Sequence, residues 1–245
     1  MSQKNMIEQS RECATEQCGP MRSLCVPIHE MMPSQYLLHR MAPPQTVRGC
    51  SALRVHQTGA IFSLWRAWEE ECDRETPVPF WAVVWPAAAV LAHYVLKERG
   101  LVAGKTVLEV GCGGGAAALA AAMAGAAKVI ANDVDPIATR IAEHNAQANG
   151  IHLDFSNRDF TCGEIPAGVD VVLVADLFYE RTVSHRLLRA LRAARQRGVR
   201  VLVADGQRPF APVPTGEPLW VRKAPTDREL EGVAERTVRI FEYNP

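Results

Sequence analysis

The sequence lacks any excess of charge and any long hydrophobic segment. Lys and Arg together number 27, as do Asp and Glu, so the formal net charge is zero at pH 7. No global basic field is available to hold the chain on nucleic acid or on an anionic membrane. No stretch approaches about 18 uninterrupted apolar residues, and the first residues do not have the pattern of a secretory signal. We expect a soluble cytoplasmic monomer with no nucleic-acid and no membrane partner.

The sequence also lacks the spaced cysteine and histidine clusters that hold metals. Its seven cysteines include no CxxC pair, and Cys13, Cys18 and Cys25 do not have the short paired spacing of a zinc site. Cys112 lies within a glycine-rich loop, where a disulfide would block the site that the loop forms. The sequence therefore predicts a reduced compartment and no metal site.

Two regions differ in pattern. Residues 1–50 have four of the seven cysteines and six of the seven methionines, with no sustained helical or strand period, and are predicted to be a poorly ordered leader. Residues 51–245 alternate short β-branched runs with helical runs, which is typical of an α/β domain with a mostly parallel sheet. Seven strands are predicted, with the last antiparallel, at residues 106–110, 129–132, 152–155, 169–175, 199–204, 219–223 and 237–243.

A glycine-rich turn follows the first of these strands. Gly111, Gly113 and Gly115 would let the backbone approach a ligand at the start of a helix, as in sites for NAD and for S-adenosylmethionine. Glu109 stands two residues before the first glycine, where it would repel a pyrophosphate but attract the cationic amino and sulfonium groups of S-adenosylmethionine. The pattern favours S-adenosylmethionine, with Glu109 in direct contact.

Acidic residues follow the next two strands. Asp133 is predicted to accept the two ribose hydroxyls, and Asp135, which precedes a proline, to cap the helix that follows. Asp159 is a candidate acceptor for the adenine amine, with Phe160 supplying apolar contact; an ordinary turn aspartate is the alternative. These residues complete the predicted cofactor site.

The segment after the fourth strand is predicted to face the methyl acceptor, because ligands in open α/β sheets lie beyond the carboxyl ends of the strands. Asp176, Tyr179 and Glu180 could position an amine and offset its charge. Trp81 and Trp85 either belong to the core or cover one side of the pocket. A carboxylate beside a lysine ammonium group would raise the pKa of the ammonium and so favour its unreactive form. Any benefit of the carboxylate must therefore lie in orienting the amine.

Four segments resemble the methyltransferase-like protein lysine methyltransferases. The nearest branch comprises the electron transfer flavoprotein β-subunit lysine methyltransferases and their bacterial relatives, which are labelled predicted nicotinamide N-methyltransferases. The four segments are residues 79–86 (PFWAVVWP), 109–115 (EVGCGGG), 145–150 (NAQANG) and 176–180 (DLFYE). The resemblance covers roughly residues 55–245 and includes residues 226–231.

The resemblance implies a Rossmann-like class I methyltransferase fold. It also implies that Glu109, Gly111, Asp133, Asp159 and Trp85 contact S-adenosyl-L-methionine and that residues 176–180 face the substrate. The expected activity is N-methylation of a protein lysine, with the electron transfer flavoprotein β-subunit as the first candidate substrate. The alternatives are N-methylation of a small nicotinamide-like molecule and a non-catalytic binding module.

Overall fold

A seven-stranded sheet forms the centre of the protein in the computed structural model, which describes residues 33–245. Two short strands precede it, β1 (Gln45–Val47) and β2 (Cys50–Val55), and form a separate antiparallel hairpin. The strands of the sheet are β3 (Thr106–Val110), β4 (Lys128–Asn132), β5 (Asp154–Ser156), β6 (Val171–Ala175), β7 (Arg200–Asp205), β8 (Trp220–Pro225) and β9 (Glu235–Glu242).

The strands lie in the order β5-β4-β3-β6-β7-β9-β8. Neighbours from β5 to β7 are parallel, whereas β9 runs antiparallel to both β7 and β8. The predicted seven-stranded sheet with a reversed last strand is confirmed. The chain builds the sheet outward from β3 in one direction and from β6 in the other, so the strand order reverses between these two neighbours. Their carboxyl ends therefore flank the crevice where open α/β sheets bind ligands.

Helices cover both faces of the sheet. Their bounds are α1 (Pro33–Arg40), α2 (Ile61–Cys72), α3 (Pro86–Lys97), α4 (Ala116–Met123), α5 (Pro136–Ala148), α6 (Arg181–Gln196) and the short α7 (Arg228–Glu231). Both α3 and α5 begin with a proline, whose fixed φ suits the first helical position. Asp135 caps α5 by accepting from the Ile137 amide at 2.8 Å, as predicted. No helix in the described residues is long and apolar enough to span a bilayer.

Two apolar clusters fill the space between the sheet and its helices. One packs α3, α4 and the β1–β2 hairpin against one face, and the other packs α6 against the opposite face. Consecutive residues of β3 divide between them, because Val107 points toward α4 and Leu108 points toward α6. This alternation decides which face of the sheet each side chain of β3 occupies.

Residues 33–50 contradict the expectation of a poorly ordered leader. Leu37, on α1, is fully buried and belongs to a cluster with Trp81 and Ile141, and Val47, on β1, is 1% exposed. The short strands join at a tight turn whose Gly49 has φ +87°. This part of the chain therefore belongs to the folded domain. The predictions for residues 1–32, including those for Cys13, Cys18 and Cys25, lie outside the described residues.

Candidate active site

The glycine turn connects β3 to α4 and packs tightly against its surroundings. Gly111 has φ +69° and Gly115 has φ +82°, backbone conformations that L side chains rarely adopt. A Cβ at Gly111 would lie 2.5 Å from the Leu177 side chain, and one at Gly115 would lie 3.0 Å from Ala142 Cβ. The turn is thus held against both the acceptor-side segment and α5.

Asp133, at the end of β4, is joined to this turn. Its Oδ2 accepts from the Gly113 amide at 2.9 Å, and its Oδ1 accepts from the Asp135 amide at 3.0 Å. Burial raises the pKa of Asp133 to about 6, although these amide hydrogen bonds oppose the shift. The structure brings Gly111, Gly113, Gly115 and Asp133 together at one edge of the sheet, and the ribose contact of Asp133 stays a prediction.

Glu109 requires a correction. Its side chain is 1% exposed, and its Oε2 accepts from the Ala118 amide at 2.6 Å. Strand alternation turns Glu109 to the α4 side of the sheet, and the N-cap Gly115 has no side chain to satisfy the first-turn amides. Glu109 therefore lies beneath the glycine turn as an acceptor for α4, and the structure does not support the predicted direct contact with the cofactor's amino group.

Two acidic groups nevertheless lie close together at this edge. Burial raises the pKa of Glu109 to about 8, and the Asp133 carboxylate adds to the shift. A cationic ligand beside these two groups would relieve their repulsion, whereas a pyrophosphate would increase it. The residues fit S-adenosylmethionine and do not fit NAD. Residues 33–245 contain no group of three or more His, Cys, Asp or Glu side chains that could hold a metal.

Asn145, on α5, is a positioning residue to which the sequence analysis assigned no role. It is fully buried, its Nδ2 donates to the Gly114 carbonyl at 2.9 Å, and its Oδ1 accepts from the His56 amide at 2.7 Å. One side chain thereby connects the glycine turn to the segment after β2. The sequence motif at residues 145–150, which begins with Asn145, was the signal that could have identified this residue.

The two residues predicted to contact adenine lie in different environments. Asp159 is exposed, and its Oδ1 accepts from the Thr161 amide at 2.8 Å, so its contact with the adenine amine stays a prediction. Phe160 is only 2% exposed and packs in the same core cluster as Leu108 and Val110. Because its ring is committed to the core, the predicted apolar contact with adenine is not supported.

Asp176, directly after β6, is also corrected. Its side chain is 4% exposed and forms an ion pair with Arg208 at 3.0 Å, while its Oδ2 accepts from the Ala87 amide at 2.9 Å. The first turn of α3 has no side-chain cap of its own, so Asp176 supplies an acceptor for it. A carboxylate with these partners does not face an incoming amine as an unpaired charge.

Glu180 is the N-cap of α6. Its carboxylate accepts from the Thr182 amide at 3.0 Å and the Val183 amide at 2.6 Å. These are orphan donors of the first helical turn, and a Glu at the cap satisfies them. The structure thus shows a capping role for Glu180, and its predicted catalytic role stays a prediction.

Tyr179 is the residue of this segment that remains accessible, with 39% of its surface exposed. Desolvation raises the pKa of Tyr179, and the Asp133 carboxylate contributes to the shift. Leu177, two residues before Tyr179, packs against the glycine turn. The Tyr179 ring centroid lies 6.3 Å from that of Phe80, which lies 5.9 Å from Trp85. Tyr179 and Phe80 form an aromatic border beside the glycine turn.

The two tryptophans have separate roles. Trp81 is 4% exposed and packs edge-on against Trp68, with 6.3 Å between ring centroids, so it belongs to the core. Trp85 is half-buried, its indole N–H donates to the Phe80 carbonyl at 2.9 Å, and the Arg208 guanidinium lies 5.3 Å from its ring centroid. Its predicted contact with the cofactor stays a prediction.

The sheet order, the glycine turn and the acidic edge together define a class I S-adenosylmethionine-dependent methyltransferase. Residues 91–182 match the family described as ribosomal protein L11 methyltransferase (PrmA). The chain is 37% identical over 97 residues to the ribosomal protein L11 methyltransferase of Dichelobacter nodosus, covering 39% of this chain and 31% of that one.

A longer similarity identifies the family more narrowly. The chain is 34% identical over 172 residues to the electron transfer flavoprotein beta subunit lysine methyltransferase of Xenopus laevis, covering 67% of this chain and 70% of that protein. It is 37% identical over 130 residues to the Danio rerio protein of the same name, spanning 53% of this chain and half of the relative's length. The chain belongs to the family of electron transfer flavoprotein beta subunit lysine methyltransferases.

Proposed function

We propose that the protein transfers a methyl group from S-adenosylmethionine to a lysine side chain of the electron transfer flavoprotein β-subunit. The names of the family members support this substrate. The observation that carries the proposal is that the glycine turn meets both Asp133 and the segment of Leu177 and Tyr179 at one sheet edge. Cofactor and acceptor groups can meet there without a further domain.

The cofactor side would be formed by the turn at Gly111–Gly113 and by Asp133. Bound there, S-adenosylmethionine supplies a methyl group that is already strongly electrophilic. Asp133 retains lone pairs beyond those facing Gly113 and Asp135, and these would accept the ribose hydroxyls. Glu109 contributes by holding the start of α4 beneath the turn.

The acceptor lysine must arrive without its proton, because only the neutral amine has a lone pair to attack a methyl carbon. An unpaired carboxylate beside it would stabilise the ammonium form and raise its pKa. The ion pair with Arg208 neutralises Asp176 and removes that effect. A carboxylate paired with Arg208 therefore suits methyl transfer to a neutral amine better than the predicted unpaired carboxylate does.

Tyr179 and Phe80 would guide the lysine's alkyl chain toward the edge. The lysine Nζ lone pair would accept the methyl group of S-adenosylmethionine held at the glycine turn, and the methylated amine would lose a proton to water. The protein's main contributions are then orientation of the amine and exclusion of water.

Purified protein incubated with methyl-labelled cofactor and purified electron transfer flavoprotein tests the proposal. We expect label on one or more lysines of the β-subunit, located by mass spectrometry, and no label when Asp133→Ala replaces the wild type at limiting cofactor. Label appearing only in nicotinamide or another small molecule would establish the alternative activity. A protein that binds cofactor and labels neither would be a binding module.

A further inference from the structure

A buried ion-pair network lies behind the acceptor segment. Arg208, in the loop after β7, pairs with Asp176 at 3.0 Å and with Glu231 of α7 at 2.7 Å. Arg236 of β9 pairs with the other oxygen of Glu231. The side chains of Arg208, Asp176 and Glu231 are 8%, 4% and 2% exposed. Two cations and two anions thus neutralise one another inside the protein.

Stability is a poor explanation for such a network. Desolvating buried charges costs several kcal/mol per ion, and well-packed apolar side chains of similar volume are often at least as stabilising. The network also coincides with unusual backbone, since Asp176 has φ +53° and Gln207 has φ +69°. Non-glycine residues in the left-handed region persist where the surroundings hold them, commonly at functional sites.

The network contacts the acceptor side from three directions. Asp176 accepts from the Ala87 amide at the start of α3 and from the Gly206 amide after β7, at 3.2 Å. The Arg208 guanidinium covers the Trp85 ring, which contacts Phe80. Arg208 therefore joins α3, the end of β6 and the C-terminal strands around the turn that presents Tyr179.

We propose that Arg208, anchored by Glu231, is a positioning residue for the methyl acceptor. It holds the Asp176 carboxylate, and through it the left-handed turn that places Tyr179 beside the cofactor edge. This inference rests on the proposed function for its catalytic readout. Its loss reduces the rate of methyl transfer and leaves cofactor binding intact, because Asp133 and the glycine turn lie on other strands.

A double-mutant cycle tests whether Arg208 acts through Asp176. Arg208→Gln should lower kcat about tenfold or more while the Kd for the demethylated cofactor changes by less than about threefold. Asp176→Asn should behave alike, and the double variant should lose no more than the larger single loss, since the two residues act as one unit. The matched control is Arg195→Gln, which breaks the pair with Glu242 at 3.0 Å near the end of α6 and should leave kcat unchanged.

A second readout requires no acceptor. In protein with isotope-labelled tyrosine rings, the Tyr179 signal, assigned with Tyr179→Phe, should shift in Arg208→Gln and not in Arg195→Gln. Additive losses of kcat, or wild-type kcat with an unmoved Tyr179 signal, would overturn the inference. If the wild type methylates no protein, the proposed function fails and the Tyr179 signal alone decides. Should Arg208→Gln not fold, Glu231→Gln provides both measurements.

Discussion

Replacing Glu109 with Gln tests the buried carboxyl group beneath the glycine turn. Glu109 ionises near pH 8 in the folded protein, against an ordinary pKa of 4.5 that the unfolded chain would show. Between these values the folded protein holds a proton that the unfolded chain has lost. The free energy of unfolding therefore falls as pH rises through this interval, and the contribution is fully present only below about pH 4.5.

The magnitude follows from the size of the pKa shift. One pKa unit corresponds to about 1.4 kcal/mol, so Glu109 should remove roughly 3 kcal/mol from the free energy of unfolding between pH 5.5 and pH 8. Gln has nearly the same shape, and its carbonyl oxygen can accept from the Ala118 amide, but it does not ionise. Glu109→Gln should remove this part of the pH dependence.

Urea denaturation at a series of pH values, without cofactor, provides the measurement. The difference between variant and wild type should grow in favour of the variant from pH 5.5 to pH 8. The contribution of Asp133, whose pKa is raised to about 6, occurs in both proteins and cancels in the difference. Curves that run parallel within about 0.5 kcal/mol would refute the buried-acid explanation.

Four further substitutions test other parts of the site and fold. Asp133→Ala should weaken cofactor binding roughly 10- to 150-fold by calorimetry. Asp135→Ala, which removes the cap of α5, should cost about 1 kcal/mol of stability. If Asp133→Ala and Asp135→Ala lose equal cofactor affinity, the ribose contact does not belong to Asp133 alone. Leu37→Ala should cost about 2–5 kcal/mol in urea denaturation, because the side chain is fully buried, and a loss below about 1 kcal/mol would mean that α1 packs weakly. Glu180→Ala should cost about 1 kcal/mol of stability, with kcat within about threefold of wild type, whereas a loss of two or more orders of magnitude would support its catalytic role.

The fold was largely predictable because local patterns determine it. Alternating β-branched and helical runs identified the strands of the sheet, and Pro136 after Asp135 identified the start of α5. The β1–β2 hairpin was missed because it precedes the alternating strand and helix pattern, in a part of the chain with no sustained period. Gly49 at its tight turn was the local signal that could have indicated it.

The site was predictable at the level of position but not of side-chain partners. Glycines and carboxylates at strand ends had to meet at one edge, as they do. Whether a carboxylate faces a ligand depends on donors from distant parts of the chain: Asp176 meets an amide of α3 and a guanidinium from the loop after β7. Glu109 was the exception, because the two-residue period of β3 already placed it on the same side as Val107, toward α4.

The double role of Asn145 makes the β1–β2 hairpin a reporter of what happens at the glycine turn. The His56 amide and the Gly114 carbonyl share this one buried side chain as their hydrogen-bond partner. A ligand that restrains the turn therefore also restrains Asn145, and the His56 amide should exchange its proton with solvent more slowly. Occupancy of the cofactor edge can then be followed from the His56 amide, which lies outside the glycine turn.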